Sequence, residues 1–221
     1  MGKVTGVQRS SHQRARMQNL LVACHNDRTC LVAPDSYGRR CLKRLVDCGE
    51  VVEPYPRIFA AREIWDTLSY GERMRWMLRT LAHEHPAWVF CSFSAALMHG
   101  LPVTHRLLDP IHVCTSMDAP TRSSPRVQRH RYKRIEHETV DGVKVTPLVQ
   151  TAIDCMAEAS FPHGLAVADG LLRMLDVERE LLEEMVRHIL SGRKTCEHAL
   201  ACASWADGRQ RAEGNRSLEP S

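Results

Sequence analysis

Five histidines, His83, His85, His99, His105 and His112, crowd one stretch of the chain, and nine cysteines are scattered from Cys24 to Cys202. These are the residue types that bind metals, but a zinc site needs three or four ligands that converge, usually announced by closely paired spacing. No CxxC occurs, His83-x-His85 precedes Pro86, and His99 precedes Gly100. Both histidine positions read as helix ends, where the backbone dipole favours such side chains. The expectation is therefore no metal and no cofactor, with the thiols acting as small apolar groups in a reducing compartment. Ser92 and Ser94 lie near His99, the ingredients of a nucleophile with its base. No Gly-x-Ser-x-Gly turn is present, and a serine and a histidine on one short helix are poorly aimed at each other. Asp154 and Asp169 fall in apolar helical segments. They could form a transferase-like acid pair, or each could pair with an arginine such as Arg173 or cap a neighbouring element. The residues with chemical potential thus argue against an enzyme.

The basic residues are more suggestive. Lys and Arg number 30 against 26 Asp and Glu, a net charge of +4. Only Lys3, Lys43, Lys133, Lys144 and Lys194 are lysines, a bias toward arginine that a GC-rich genome or phosphate recognition would each produce. The sum is too mild to decide anything, so distribution matters more. Arg39, Arg40, Lys43 and Arg44 cluster on one segment, with Arg57 following. They suit a helix entering a DNA major groove, because the arginine fork fits phosphates and guanine edges alike. A surface helix with cations toward its C-terminus would look the same. A second cluster, Arg122, Arg126, Arg129, Arg131, Lys133 and Arg134, contains no acid. Alternation puts Arg129 and Arg131 on one face of a strand and His130 on the other. Nucleic acid, an acidic partner, or solvent would each suit that density.

The elements that would carry these residues can be read from periodicity. Met17, Leu20, Leu21 and Cys24 mark one face of a helix from about Arg14 to His25, after a polar segment, 1–13, expected to be disordered. Pro34-Asp35-Ser36 supplies a turn and an N-cap for a second helix burying Cys41, Leu42, Leu45 and Val46 and stopping at Gly49. Val51-Val52 and Ile58-Phe59-Ala60 read as two strands joined by Pro54-Tyr55-Pro56-Arg57. Helix, helix, hairpin is the order of a small winged-helix unit, here 14–62. After a joint at 66–68, Ser69-x-x-Glu72 spells a capping box opening a helix with Met74, Met77, Leu78 and Leu81 inward. Pro86 ends that helix, Val89-Phe90-Cys91 is a short apolar run, and Ser92 to His99 is a helix closed by Gly100. Strands follow at Ile111–Thr115, Val127–Tyr132 and Val143–Val145, the last after an Asp141-Gly142 turn. Thr146 with Pro147 opens another helix, and two or three more are expected, at about 162–175, 177–190 and 194–204. The fold class is α+β: the N-terminal unit, a mixed helical domain with a small β-sheet at 66–204, and a disordered tail at 205–221.

Several short motifs occur together in this order: Ser94-Ala95-Ala96-Leu97-Met98-His99-Gly100-Leu101-Pro102, Ile111-His112-Val113, Asp141-Gly142-Val143-Lys144-Val145-Thr146-Pro147, Ala152-Ile153-Asp154 and Ala168-Asp169. The set resembles the AbiEi-type antitoxins, regulators of abortive-infection toxin–antitoxin systems, over roughly residues 14–204. The resemblance implies an N-terminal winged helix that binds promoter DNA, a second domain with antitoxin function, and a nucleotidyltransferase-like toxin as partner. For a DNA-binding chain a homodimer is a further expectation, because paired half-sites need two-fold symmetry. The segment Ala206-Asp207-Gly208-Arg209 with Arg211-Ala212-Glu213 resembles the opening of a very-short-patch-repair-like endonuclease domain. The acids that would hold its metal are not among the residues that follow, so a truncated start is expected there. Two features depart from the family. Asp27 to Asp35 leaves little room for the second of three helices, and Glu53-Pro54-Tyr55-Pro56-Arg57 stands where the family has an arginine-rich wing.

The leading expectation is a cytoplasmic, non-catalytic transcriptional regulator of antitoxin type, binding double-stranded DNA at its own promoter. The alternative is a remnant of a nuclease-fusion protein or a degenerate nucleotidyltransferase-like enzyme. No basic-then-apolar leader opens the chain. The longest uncharged run, between Glu84 and Arg106, is interrupted by Pro86, Gly100 and Pro102, so no membrane helix is expected.

Overall fold

The first helix, α1 (Lys3–Asn26), lays Met17 and Leu21 against α2 (Ser36–Asp47), which answers with Leu42 and Leu45. The spacing of three and four residues puts each pair on a single helical face. The computed structural model describes residues 3–119 and 124–207. Between these helices lies β1 (Leu31–Val32), and after them come β2 (Val51–Tyr55) and β3 (Ile58–Ala61). The three strands form an antiparallel sheet in the order β1-β3-β2. Leu31, Ala33, Val51 and Phe59 complete the core, with Leu20, Cys24, Cys41 and Val46 packed at its margin. Each fully buried side chain of this size is worth about 1.5–3 kcal/mol.

Local chemistry explains the joints. The Asp35 carboxylate accepts the Gly38 N–H at 2.6 Å and caps α2. Beyond α2, Gly49 takes φ +78, and the Glu50 N–H reaches back to the Leu45 carbonyl at 3.0 Å, a left-handed helix stop. Pro54 falls where the β2–β3 register shifts, between Val52 and Tyr55, because proline has no N–H to give to the ladder. A short helix that periodicity does not announce, α3 (Arg62–Thr67), runs into the joint expected at 66–68. The Ser69–Glu72 capping box is formed on both sides and opens α4 (Tyr70–Glu84), which buries Trp76, Met77, Leu78, Thr80 and Leu81.

Two expectations differ from what this region shows. Helix α1 begins at Lys3 and passes through the segment expected to be disordered, since no proline interrupts it. Packing divides the chain between Ala87 and Trp88 rather than near 62–66. The reason is α4: the Thr80 hydroxyl accepts the Cys30 N–H at 2.7 Å, and the Trp76 ring lies 5.6 Å from that of His25, so α4 joins the first unit. Residues 27–35 hold β1 and no helix, in keeping with the little room that this stretch leaves for one.

In the second unit, α5 (Ser92–His99) leads through a 3-10 turn (His105–Leu107) to β4 (Ile111–Ser116), β5 (Val127–Tyr132), β6 (Glu138–Val140) and β7 (Val143–Val145). β4 and β5 run parallel, and β6 and β7 are antiparallel. The segment 89–91 lies between the two ladders. Phe90 bridges to Val113 on one side and Val145 on the other, donating its N–H to the Lys144 carbonyl and accepting from Thr146 N–H, both at 2.9 Å. Four helices follow: α6 (Leu148–Glu158), α7 (Phe161–Leu175), α8 (Arg179–Ile189) and α9 (Cys196–Trp205). Pro147 rather than Thr146 occupies the cap position of α6. The Thr146 carbonyl and hydroxyl are both engaged by the Thr151 hydroxyl instead, at 2.9 and 2.7 Å. Of the tail expected at 205–221, Trp205 ends α9 and Ala206 is buried, and residues 208–221 lie outside the described residues.

The chain is thus a mixed α+β protein with nine α-helices and three small sheets among the described residues. No helix among them is long and apolar enough to cross a membrane. The packing of α7 makes one sharp demand. A Cβ on Gly170 would stand 2.4 Å from Pro102 Cδ and 3.0 Å from its Cγ. A proline ring cannot rotate away, so Gly170→Ala is expected to destabilise by about 1–3 kcal/mol, despite alanine's advantage of about 1 kcal/mol in a helix. Urea denaturation checks this; a stabilised variant would show that the loop at Pro102 yields freely.

Candidate functional site

Leu42 and Leu45 anchor α2 and turn its other side outward, where Arg39, Arg40, Lys43 and Arg44 are all exposed. Arg57 sits in the β2–β3 turn with φ +68 and is also exposed. The fold brings the five together: they line a single open surface depression with Ala33, Asp35, Ser36 and Asp47. The Arg40 guanidinium lies 5.5 Å above the Tyr37 ring, a stacking that holds it extended at the surface. Lys43 is paired with Glu53, whose other oxygen accepts the Arg57 N–H at 3.0 Å. Burial pushes the Glu53 carboxyl up, but the Lys43 and Arg57 hydrogen bonds and the charges of Lys43 and Arg39 outweigh it and hold it below its ordinary value. Glu53, in the strand leading to the turn, therefore offsets part of the positive face.

The second basic cluster is less unified. Arg122 lies outside the described residues. Arg126, Arg131, Lys133 and Arg134 are exposed, while Arg129 is half-buried with its guanidinium 5.8 Å above the Trp88 ring. Arg134 pairs with Glu136 at 3.1 Å. Strand alternation holds through β5, and its consequence lies on the opposite face, where His130 and Tyr132 point toward α6.

There a polar cluster, buried at His112 and open to solvent at Glu158, assembles from four elements. The ladder pairs His112 with Gln128 and Cys114 with His130, which sets His112, Cys114, His130 and Tyr132 on one face of β4–β5. His112 Nδ1 and His130 Nε2 face each other at 2.8 Å with the rings stacked, and His130 Nδ1 lies 3.0 Å from Glu158 Oε1. Ser92, at the first position of α5 with φ +47, donates its hydroxyl to Glu158 Oε2 at 2.8 Å. The Ser94 hydroxyl accepts the His112 N–H at 2.9 Å. Burial, with the charge of His130 next, pushes His112 down to about 4, so this ring is neutral near pH 7. Burial pushes the Glu158 carboxyl up, but the His130 hydrogen bond and charge and the Ser92 hydroxyl prevail and hold it low.

Beside it, the Tyr132 hydroxyl donates to Asp154 Oδ2 at 2.6 Å and the Gln150 amide to Oδ1 at 2.8 Å. Burial raises the Asp154 carboxyl above its ordinary value of 3.8 against the pull of these two donors. A raised value in the folded state contributes stability fully below pH 3.8, and that contribution is lost as pH rises through the folded value. Tyr132→Phe removes a donor that favours the carboxylate, and so raises the folded value further. It is expected to cost about 1–3 kcal/mol near neutrality and less at pH 4. Urea denaturation at the two pH values decides it; an equal loss at both would show that Asp154 does not share the effect.

The residues singled out from the sequence for catalysis go elsewhere. Ser92 and Ser94 are both fully buried, and His99 bonds the Thr146 carbonyl at 2.8 Å rather than a serine. Asp169 accepts the Asp207 N–H at 2.6 Å, and Asp154 bonds a tyrosine and a glutamine, not an arginine. Of the histidines weighed as ligands, His112 alone enters the cluster. Its companions His130 and Glu158 were not recognised, because they are remote in sequence. The signal available was the alternation in β5, which opposes His130 to the arginines. No protein-family model matches the chain, and no curated protein matches it.

Proposed function

We propose that this chain is a non-catalytic, DNA-binding regulator of antitoxin type, built as a winged-helix unit followed by a domain that engages a partner protein. The observation that carries the reading is the convergence of Arg39, Arg40, Lys43, Arg44 and Arg57 on one exposed face of the first unit. An order α1-β1-α2-β2-β3 with the sheet arranged β1-β3-β2 supports it. That order is compatible with a winged helix reduced by one helix, in which α2 would enter a groove and the β2–β3 turn, carrying Arg57, would serve as a short wing. Phosphates would be met by the guanidinium groups, giving an affinity that falls with salt. Base edges would be met by Arg40 or Arg44, and DNA would displace Glu53 from Lys43. The partner of the second unit is a nucleotidyltransferase-like toxin, following the resemblance of its motifs, and the active form on DNA is a homodimer.

The test is a fluorescence-anisotropy titration with the duplex lying upstream of the chain's own gene and a scrambled duplex beside it, each at low and physiological salt. Preference for the native duplex that survives physiological salt is the expected result. Weak binding without preference that vanishes with salt would overturn the regulator reading and leave charge attraction alone.

A further inference from the structure

His112 on β4, His130 on β5 and Glu158 at the end of α6 offer one ligand atom each, all within 4.8 Å of one another. We propose that these three residues bind one divalent transition-metal ion of the zinc class, with water completing the coordination. This inference stands on the second unit alone and is independent of DNA binding by the first.

Four features of the geometry point the same way. The donor set, two imidazoles and a carboxylate, is one that zinc accepts with a solvent ligand in the remaining position. The facing nitrogens of His112 and His130, 2.8 Å apart, need a proton between them when no ion is present. An ion bound at ~2.0–2.1 Å from each replaces that proton and takes both lone pairs; the rings part by about half an ångström, and Glu158 Oε1 leaves His130 Nδ1, 3.0 Å away, to join the ion. The outer hydrogen bonds that aim metal ligands are also in place. His112 also has a backbone hydrogen-bond partner at Leu107. The Ser92 hydroxyl holds the other oxygen of Glu158, and the Ser94 hydroxyl fixes the backbone at His112. Finally, the site is graded in depth. His112 is 3% exposed, whereas the side chains of His130 and Glu158 are 12% and 34% exposed, which gives an ion a route from solvent.

Nine cysteines could bind metal independently, so the probe must report the ligand type. The chain is stripped with a chelator, kept reduced, and titrated with Co2+ while its absorption spectrum is followed. Expected are one Co2+ per chain, visible d–d bands without the near-ultraviolet thiolate charge-transfer band, and a rise in Tm. Zn2+ should displace the cobalt and bleach the bands. His130→Ala and Glu158→Gln should each weaken Co2+ binding by at least about tenfold, with circular dichroism reporting whether each variant is folded. Failure of the wild-type chain to bind Co2+ with these bands overturns the proposal without reference to any variant. So does a thiolate band, or unchanged binding in folded His130→Ala and Glu158→Gln.

Discussion

Phe90→Ala is expected to destabilise the second unit by about 3–5 kcal/mol, a large share of the 5–15 kcal/mol that holds a typical domain. Phe90 is fully buried, and its backbone is the strip that joins the β4–β5 ladder to the β6–β7 ladder. The Trp88 ring stands edge-on to it at 6.1 Å. Truncation leaves a cavity between two ladders that have no direct pairing with each other, so the walls cannot close over it by sliding a single strand. Urea denaturation followed by far-ultraviolet circular dichroism measures the loss. A cost below about 1 kcal/mol would mean that the backbone bridge, which alanine keeps, does most of the joining. Phe59 is the corresponding fully buried aromatic of the first unit.

Replacing Arg40 and Arg44 together with alanine is expected to weaken binding to the upstream duplex by roughly 30-fold, about 1 kcal/mol for each side chain. The same change should reduce the slope of log K against log salt by about 2, one for each lost phosphate contact. The two residues are exposed, and α2 keeps its buried Leu42 and Leu45 and its Asp35 cap when they are removed. Loss of binding would therefore not follow from loss of the helix. Equal weakening on native and scrambled duplexes would assign both arginines to phosphates. Greater weakening on the native duplex would assign at least one to a base edge. Unchanged affinity and slope would remove α2 from the DNA interface.

Much of the first unit could be read directly from residue order, because its determinants are local. The apolar positions named on α1 and α2 are the ones that meet in the core, and Asp35, Gly49 and the Ser69–Glu72 box cap or stop helices where short-range hydrogen bonding requires. The same periodicity placed Arg39, Arg40, Lys43 and Arg44 on the outer side of α2, since a helix that buries Leu42 and Leu45 has no other place for them. Local signals fail where a neighbour decides. Helix α4 belongs to the first unit because Thr80 reaches the backbone of Cys30, fifty residues away. Val89-Phe90-Cys91 reads as an apolar scrap in isolation and becomes the central strip of a sheet only when β4 and β7 flank it. The pairing of His112, His130 and Glu158 was likewise invisible, since it depends on the parallel register of β4 and β5 and on the end of α6 arriving beside them. Residue type and periodicity determine which face a side chain takes on its own element. Only the packing of elements decides which other side chain it meets there, because that distance is set through space and not along the chain.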